Sequence, residues 1–445
     1  MKPKVGLYLR NRGVADVDLR SPEKGNPGVG GTQFNFVTLP YYLQKYYQDE
    51  VDCIVYANAV EYLPPSLDVR KASSAVEAAR CADEDGCNIF VYVPTDRTRK
   101  EDLLGTLESL AMKAVVWAHN VPYSLAHMDL LADHPSVFRF VVVGRERLDQ
   151  IRDHSLFEKS RCIYNGFDPA PYTPDTLSSN GSPTVAYVGS LIPPKGFHLL
   201  AKAWPEVKRQ VKEANLVVIG SGQLYDRGAE LGKWGIAAER YEKRFRPYLS
   251  NGDGEVHSSV DFKGTLGTEK IPLLQNADVG VVNPSGKTEN CPGSAIEFQA
   301  AGTPVVSIAE WGLLDTVKDG ETGILMQDSG MLGKVVADLL RDRKRREEYS
   351  RAGMKFVRQK FSQEKICGQW QTLLQRVTDG RPPKQEPMKQ NVLYRHKWFR
   401  EGMRLAKKRF PFLRWIPPLF AWRPKIRNFV KNIISKSGYS NSNVI

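Results

Sequence analysis

Glu289 and Glu297 stand eight residues apart around the run Asn290-Cys291-Pro292-Gly293-Ser294-Ala295-Ile296, where a loop gives way to a helix. A helix that starts at Pro292-Gly293-Ser294 leaves its first N–H groups without partners and its positive dipole end exposed, a ready site for an anion. Carboxylates are poor ligands for phosphate but good acceptors for the hydroxyls of a sugar or a ribose. The run therefore fits a sugar nucleotide, with diphosphate at Gly293 and Ser294, sugar toward Glu289 and ribose toward Glu297. Two solvated surface acids are the plain alternative. The nearby Gly280…Gly286-Lys287-Thr288 imitates a P-loop, but five residues separate its glycines where that motif has four.

Other segments carry groups that could serve the same chemistry. Tyr187-Val188-Gly189-Ser190-Leu191-Ile192-Pro193-Pro194-Lys195-Gly196 places a lysine past an apolar run, where it can supply the cation that the acids lack. Val115-Val116-Trp117-Ala118-His119 ends a buried strand on a histidine. Gly28-Val29-Gly30-Gly31-Thr32 precedes a helix but lacks the third glycine of a dinucleotide fingerprint. Arg145 and Glu146, at another strand end, are weaker candidates for acceptor or phosphate contacts. No Asp-x-Asp metal motif lies in these segments, and Cys53, Cys81, Cys87, Cys162, Cys291 and Cys367 show no zinc spacing, so no metal and no disulfide framework is expected.

Such residues act together only if strands aim them at one place. Val5–Leu9, Asp52–Tyr56, Asn88–Val93, Ala114–Ala118 and Phe138–Val143 are short apolar runs, with helical spacing over 32–47 and 102–112 between them. Four prolines and a Ser/Asn/Gly cluster interrupt the pattern over 168–183, which reads as a linker. Alternation restarts with Thr184–Val188, a helix over 197–211, Leu216–Ile219, Val260–Lys263, Val279–Val282, a helix over 294–301 and Pro304–Ile308. Continuous apolar strands separated by helices predict parallel sheets covered on both faces. Two successive doubly wound units follow, with ligand at strand C-terminal ends facing a cleft.

This order resembles the family 4 glycosyltransferases, whose GT-B fold has two facing Rossmann-like domains and whose signature is Glu-x7-Glu. The resemblance runs over most of residues 1–378. Besides the glutamate pair it rests on the Gly189–Gly196 turn, Val218-Ile219-Gly220-Ser221-Gly222, Phe262-Lys263-Gly264, Ala300-Ala301-Gly302-Thr303-Pro304-Val305-Val306 and Tyr164-Asn165-Gly166-Phe167-Asp168. It implies an α/β chain with an acceptor domain over 1–175, a nucleotide-sugar domain over 184–362, a helix over 363–380 packing back toward the first domain, and a tail over 381–445. By position it implies that His119 and Glu289 act at the donor sugar. Gly189, Ser190, Lys195, Gly264, Gly293, Ser294 and Glu297 would bind the donor, and Gly30 and Gly31 would bring backbone close to phosphate and acceptor. Ser190 departs from the pattern, since the family has arginine there. The implied reaction is retaining transfer of a hexosyl unit from a nucleotide diphosphate sugar, without a metal or other cofactor. A GT-B epimerase and a non-catalytic nucleotide or nucleic-acid binding protein are the rival readings.

Among the 445 residues the formal charge of +13 is confined to one end. Residues 389–445 hold fourteen Lys/Arg and the single acid Glu401, and the rest of the chain balances. Trp398, Phe399, Phe410, Phe412, Trp415 and Trp422 are interleaved with those charges. A basic, aromatic segment suits an anionic membrane surface, with a solvated or partner-binding extension as the alternative. No RRM, KH or helix-turn-helix signature accompanies it, so nucleic acid is not the expected partner. No apolar run is long enough to span a bilayer, and the N-terminus does not read as a signal peptide. The expectation is a cytoplasmic enzyme, peripheral on the inner membrane face, that uses a glycan or lipid-linked acceptor in envelope polysaccharide or lipopolysaccharide assembly.

Overall fold

The segment KVGLYL at 4–9 is buried at every position after Lys4, as a strand covered on both faces must be. A computed structural model of the chain describes residues 1–120, 124–176, 181–224, 228–384 and 396–422. In its first domain, β1 (Lys4–Leu9), β2 (Asp52–Ala57), β3 (Asp68–Lys71), β4 (Ile89–Tyr92), β5 (Lys113–Ala118), β6 (Val137–Val142) and β7 (Ser160–Cys162) form one sheet in the order β3-β2-β1-β4-β5-β6-β7. The second domain orders β8 (Thr184–Val188), β9 (Asn215–Ile219), β10 (Val260–Gly264), β11 (Val279–Val281), β12 (Val305–Ile308) and β13 (Gly323–Met326) as β10-β9-β8-β11-β12-β13. Every pairing is parallel. In both sheets the order reverses beside the first strand of the domain, the place where open α/β sheets bind ligands.

Three strands, β3, β7 and β13, lie outside the apolar runs singled out in the sequence. Each is an edge strand, and DVRK of β3 is largely exposed, so it carries no buried pattern to read. The 102–112 helix is shorter than its spacing predicts, ending at Ser109, because Ala111 turns with φ +52°.

The chain returns to its first domain near the end. Phe167 N–H donates to the Phe361 carbonyl at 2.8 Å and Gln363 N–H to the Phe167 carbonyl at 3.2 Å, fixing the crossing point. The following helix, Gln363–Thr378, buries Ile366, Trp370, Leu373 and Leu374 in the first domain's core, with Trp370 edge-on to Trp117 at 4.9 Å. The proline-rich connection also does more than link. Tyr172 within it is buried in the second domain's core, while 177–180 lie outside the described residues.

The tail departs from a segment whose cations all meet lipid or water. Residues 385–395 and 423–445, with Lys389, Arg395, Lys431 and Lys436, lie outside the described residues. The helix Lys397–Arg409 turns Lys397, Arg400 and Arg404 inward, at i, i+3 and i+7, against the first domain. Arg400 pairs with Asp153 at 2.9 Å, Arg404 with Glu158, and Glu401 with buried Arg152 at 3.1 Å. The outer surface is aromatic instead, with Trp398 71% and Trp415 79% exposed. Among the described residues no helix is long and apolar enough to cross a membrane.

Candidate active site

One cavity of about 200 Å³ between the domains is lined by Gly30, Gly31, Gly189, Ser190, Lys195, Glu289, Gly293, Ser294 and Glu297. Two helix N-termini open there. Gly31–Tyr47 begins after Gly30, and Gly293–Ala300 begins after Pro292, and neither has a side-chain cap. Their first N–H groups and dipoles therefore face the same space.

The loop from β11 to the second of these helices is held by its own side chains. Asn283 and Thr288 adopt left-handed backbone, φ +30° and +63°, conformations that cost energy outside glycine. Asn283 offsets this by donating through Nδ2 to the Lys287 carbonyl and to Glu289 Oε1, both at 2.7 Å. Glu289 also pairs with Lys195 Nζ at 2.7 Å. Lys195 reaches it from the turn Pro193–Lys195, which closes on Gly196 at φ +72°. A Cβ at Gly196 would lie 2.6 Å from Ser285 N, so the turn requires glycine there.

The second glutamate has a cation of its own. Glu297 Oε1 accepts from Lys270 Nζ at 2.7 Å and from the Tyr172 hydroxyl at 3.2 Å, and all three side chains are buried. Lys270 also lines the cavity. Ser190, standing where the family has arginine, is buried with its hydroxyl on the Ser221 carbonyl at 3.3 Å and adds no charge. Lys270 was not singled out in the sequence because it lies 27 residues from Glu297 in an unremarked helix start. Two carboxylates and two ammonium groups thus stand pairwise balanced in the cavity.

His119 is brought near but not into this cavity. Its ring packs on Trp117 at 4.8 Å and Phe36 at 6.2 Å, and burial pushes its pKa down to about 3, keeping it neutral. Its Nε2 has no hydrogen-bond partner among the described residues, while the next residue, Asn120, lines the neighbouring cavity. Gly264 borders a separate cavity with Gly220 and Trp234, and Thr265 and Leu266 face the site in its place. Arg145 and Glu146 are not cleft residues at all. Both are buried, Arg145 against Asp149 at 3.5 Å, and Glu146 N–H on Asp315 Oδ2 at 3.2 Å. Burial, with the Asp315 and Asp149 charges, raises the Glu146 pKa to about 8.

Asn290, unmarked in the sequence, is the joint between the domains. Its Nδ2 donates to the His119 carbonyl at 2.6 Å and to Asn120 Oδ1 at 2.5 Å, and its Oδ1 accepts from Arg147. A Cβ on Gly144 would clash with the Asn290 carbonyl oxygen, so glycine is required where the two domains meet.

A family model described as glycosyl transferases group 1 matches residues 182–342, the domain that carries Lys195, Lys270 and both glutamates. Over residues 182–342 the chain is thus similar to the group 1 glycosyl transferases. A GDP-mannose-dependent alpha-(1-6)-phosphatidylinositol monomannoside mannosyltransferase of Mycobacterium tuberculosis is 27% identical over 205 residues, covering 44% of this chain and 46% of that protein. The putative colanic acid biosynthesis glycosyltransferase WcaL of Salmonella typhimurium is 24% identical over 229 residues, covering 49% and 52%. The chain thus spans about half the length of the curated relatives it matches. Among solved structures, HepE of Anabaena, in complex with UDP and glucose, has a TM-score of 0.61 at 16% identity over 84% of this chain and 99% of that one. A glycosyltransferase of Rickettsia africae gives 0.64 at 13% identity over 85% and 99%. The likeness to these solved structures gives the two-sheet architecture its name, GT-B.

Proposed function

We propose that this chain is a retaining glycosyltransferase, moving a hexosyl unit from a nucleotide diphosphate sugar to an acceptor hydroxyl in envelope polysaccharide or lipopolysaccharide assembly. The observation that carries the reading is the meeting, in one cavity, of the Gly293 helix mouth, Lys195 and the two buried glutamates. The GDP-mannose dependence in the name of the mycobacterial relative and the UDP in the HepE structure support a nucleotide-sugar donor.

In this proposal the diphosphate docks at the Gly293 and Ser294 amides and draws Lys195 away from Glu289. Glu289 is then free to accept sugar hydroxyls, while Glu297, held by Lys270 and Tyr172, accepts from the ribose. Charge on the leaving diphosphate is met by Lys195 and the helix mouth, fixed before the reaction begins, and no metal cofactor is called for. His119, kept neutral, stands behind Asn120 near the sugar. The acceptor is a glycan or is linked to lipid, and the exposed aromatics of 398–422 hold the enzyme on the cytoplasmic face of an anionic membrane. A panel of UDP-, GDP- and ADP-sugars, read by thermal shift and by turnover with detergent-solubilised lipid acceptors, tests this. One nucleotide should raise the melting temperature and its sugar should appear on an acceptor; a panel with neither result would rule the reading out.

A further inference from the structure

A second cavity, of about 840 Å³, adjoins the first and shares Gly30, Gly31 and Lys195 with it. Its remaining wall comes largely from the first domain. The charged side chains there are Arg10, Arg12, Arg97 and Lys195, and among the described residues no aspartate or glutamate lines it. Arg10 and Arg12 follow the C-terminal end of β1 and make no ion pair among the described residues. Arg97 pairs with Glu101 four residues on, at 2.6 Å and half exposed, a contact too weak to resist exchange.

A site built for a neutral sugar needs acceptors for its hydroxyl protons, and carboxylates usually supply some of them. Here the neutral groups Asn58, Ser73, Thr95 and Asn120 remain for hydroxyls, and every charge is positive. Guanidinium groups bind phosphate and carboxylate through paired, charge-assisted hydrogen bonds. The donor diphosphate already has the Gly293 mouth and Lys195 on the other side of Gly30. We infer that the acceptor is an anion, carrying a phosphate or carboxylate that Arg10, Arg12 and Arg97 hold while its hydroxyl meets the donor sugar at Gly30–Gly31. The inference rests on the glycosyl-transfer reading and adds the charge class of the acceptor.

Matched pairs of small probes test it on the full chain with bound UDP or GDP: inositol 1-phosphate against inositol, and methyl glucuronide against methyl glucoside, by ligand-observed NMR titration. The charged member should bind about tenfold or more tightly, the scale of one charged hydrogen bond, and added salt should erase the difference. Preference for one charged probe over the other separates phosphate from carboxylate. In the Arg10→Gln/Arg12→Gln double variant, whose sites are exposed, that preference should vanish while UDP or GDP binding stays within about twofold. Equal binding of charged and neutral probes overturns the inference, as does a double variant that loses nucleotide and keeps the preference. A wild-type chain that binds no nucleoside diphosphate counts against the donor reading instead, and the matched pairs still decide whether the anion site exists.

Discussion

Asn290 Nδ2 lies 2.6 Å from the carbonyl oxygen of His119, so the residue beside Glu289 in the second domain grips the strand end that carries the histidine in the first. Three polar contacts converge on this one amide, all across the cleft. Replacing Asn290 with alanine leaves buried groups unpaired, at about 1–3 kcal/mol each. Turnover should fall by one to two orders of magnitude, roughly the same energy expressed as rate, with the nucleotide-induced thermal shift retained. Small-angle scattering should show a more open chain; full activity in Asn290→Ala would deny the contact any part in closure.

In the proposed reaction, Lys195→Ala removes the cation set against the leaving diphosphate. Loss of one preorganised group of this kind costs about 2.7–4 kcal/mol in other enzymes, so kcat should drop by two decades or more. Glu289→Ala should instead damage use of the sugar donor more than binding of free nucleotide. Steady-state kinetics beside nucleotide titration separates the two, and equal losses in Glu289→Ala argue against its place at the sugar.

Lys270 and Glu297 are expected to behave as a pair. Lys270→Met strands a buried carboxylate with only the Tyr172 hydroxyl, and breaking a buried pair in this way costs about 3–5 kcal/mol. The Lys270→Met/Glu297→Gln double variant should recover most of the stability but not the nucleotide affinity. Chemical denaturation read with nucleotide titration distinguishes this from a purely structural role, in which both would recover together.

Glu146 makes stability fall with rising pH. Its pKa goes from an ordinary 4.5 up to about 8 on folding, so below 4.5 it is protonated in both states and costs nothing. Between 4.5 and about 8 the unfolded chain releases the proton while the folded chain keeps it, and stability is lost through that window. Glu146→Gln should therefore melt higher than wild type above pH 8 and equally at acid pH. His119 has the opposite sign: with its pKa lowered from 6.5 to about 3, its contribution is lost as pH falls from 6.5. Melting temperature across pH for Glu146→Gln and His119→Gln, each against wild type, checks the two slopes.

Deleting residues 389–445 would uncover Asp153 and Arg152 as well as remove any membrane contact, since Arg400 and Glu401 pair with them. Outward substitutions are the cleaner probe. Trp398→Ser, Phe399→Ser and Trp415→Ser together should abolish sedimentation with anionic liposomes and leave the melting temperature within a few degrees. Arg400→Ala should do the reverse, destabilising the fold while binding persists; liposome binding that follows Arg400 and ignores the aromatics would point to headgroup charge.

Read locally, the chain already determined a good deal: apolar runs too continuous for a one-sided sheet made both parallel sheets and most of their strands predictable, and the glutamates eight apart with Pro-Gly between them marked the helix mouth. These are short-range signals, set by backbone hydrogen bonding and burial within a few residues. Which charge meets which was decided only by the tertiary structure. Lys270 finds Glu297 across 27 residues, Tyr172 reaches it across 125 from a segment that reads as a linker, and Asn290 meets His119 across 171. The tail shows the same division: its composition announced basic and aromatic residues, but only docking against Asp153 and Glu158 turned the arginines inward and left the rings outside. A local pattern records how a residue sits in its own element, whereas an ion pair depends on which distant elements packing brings within reach.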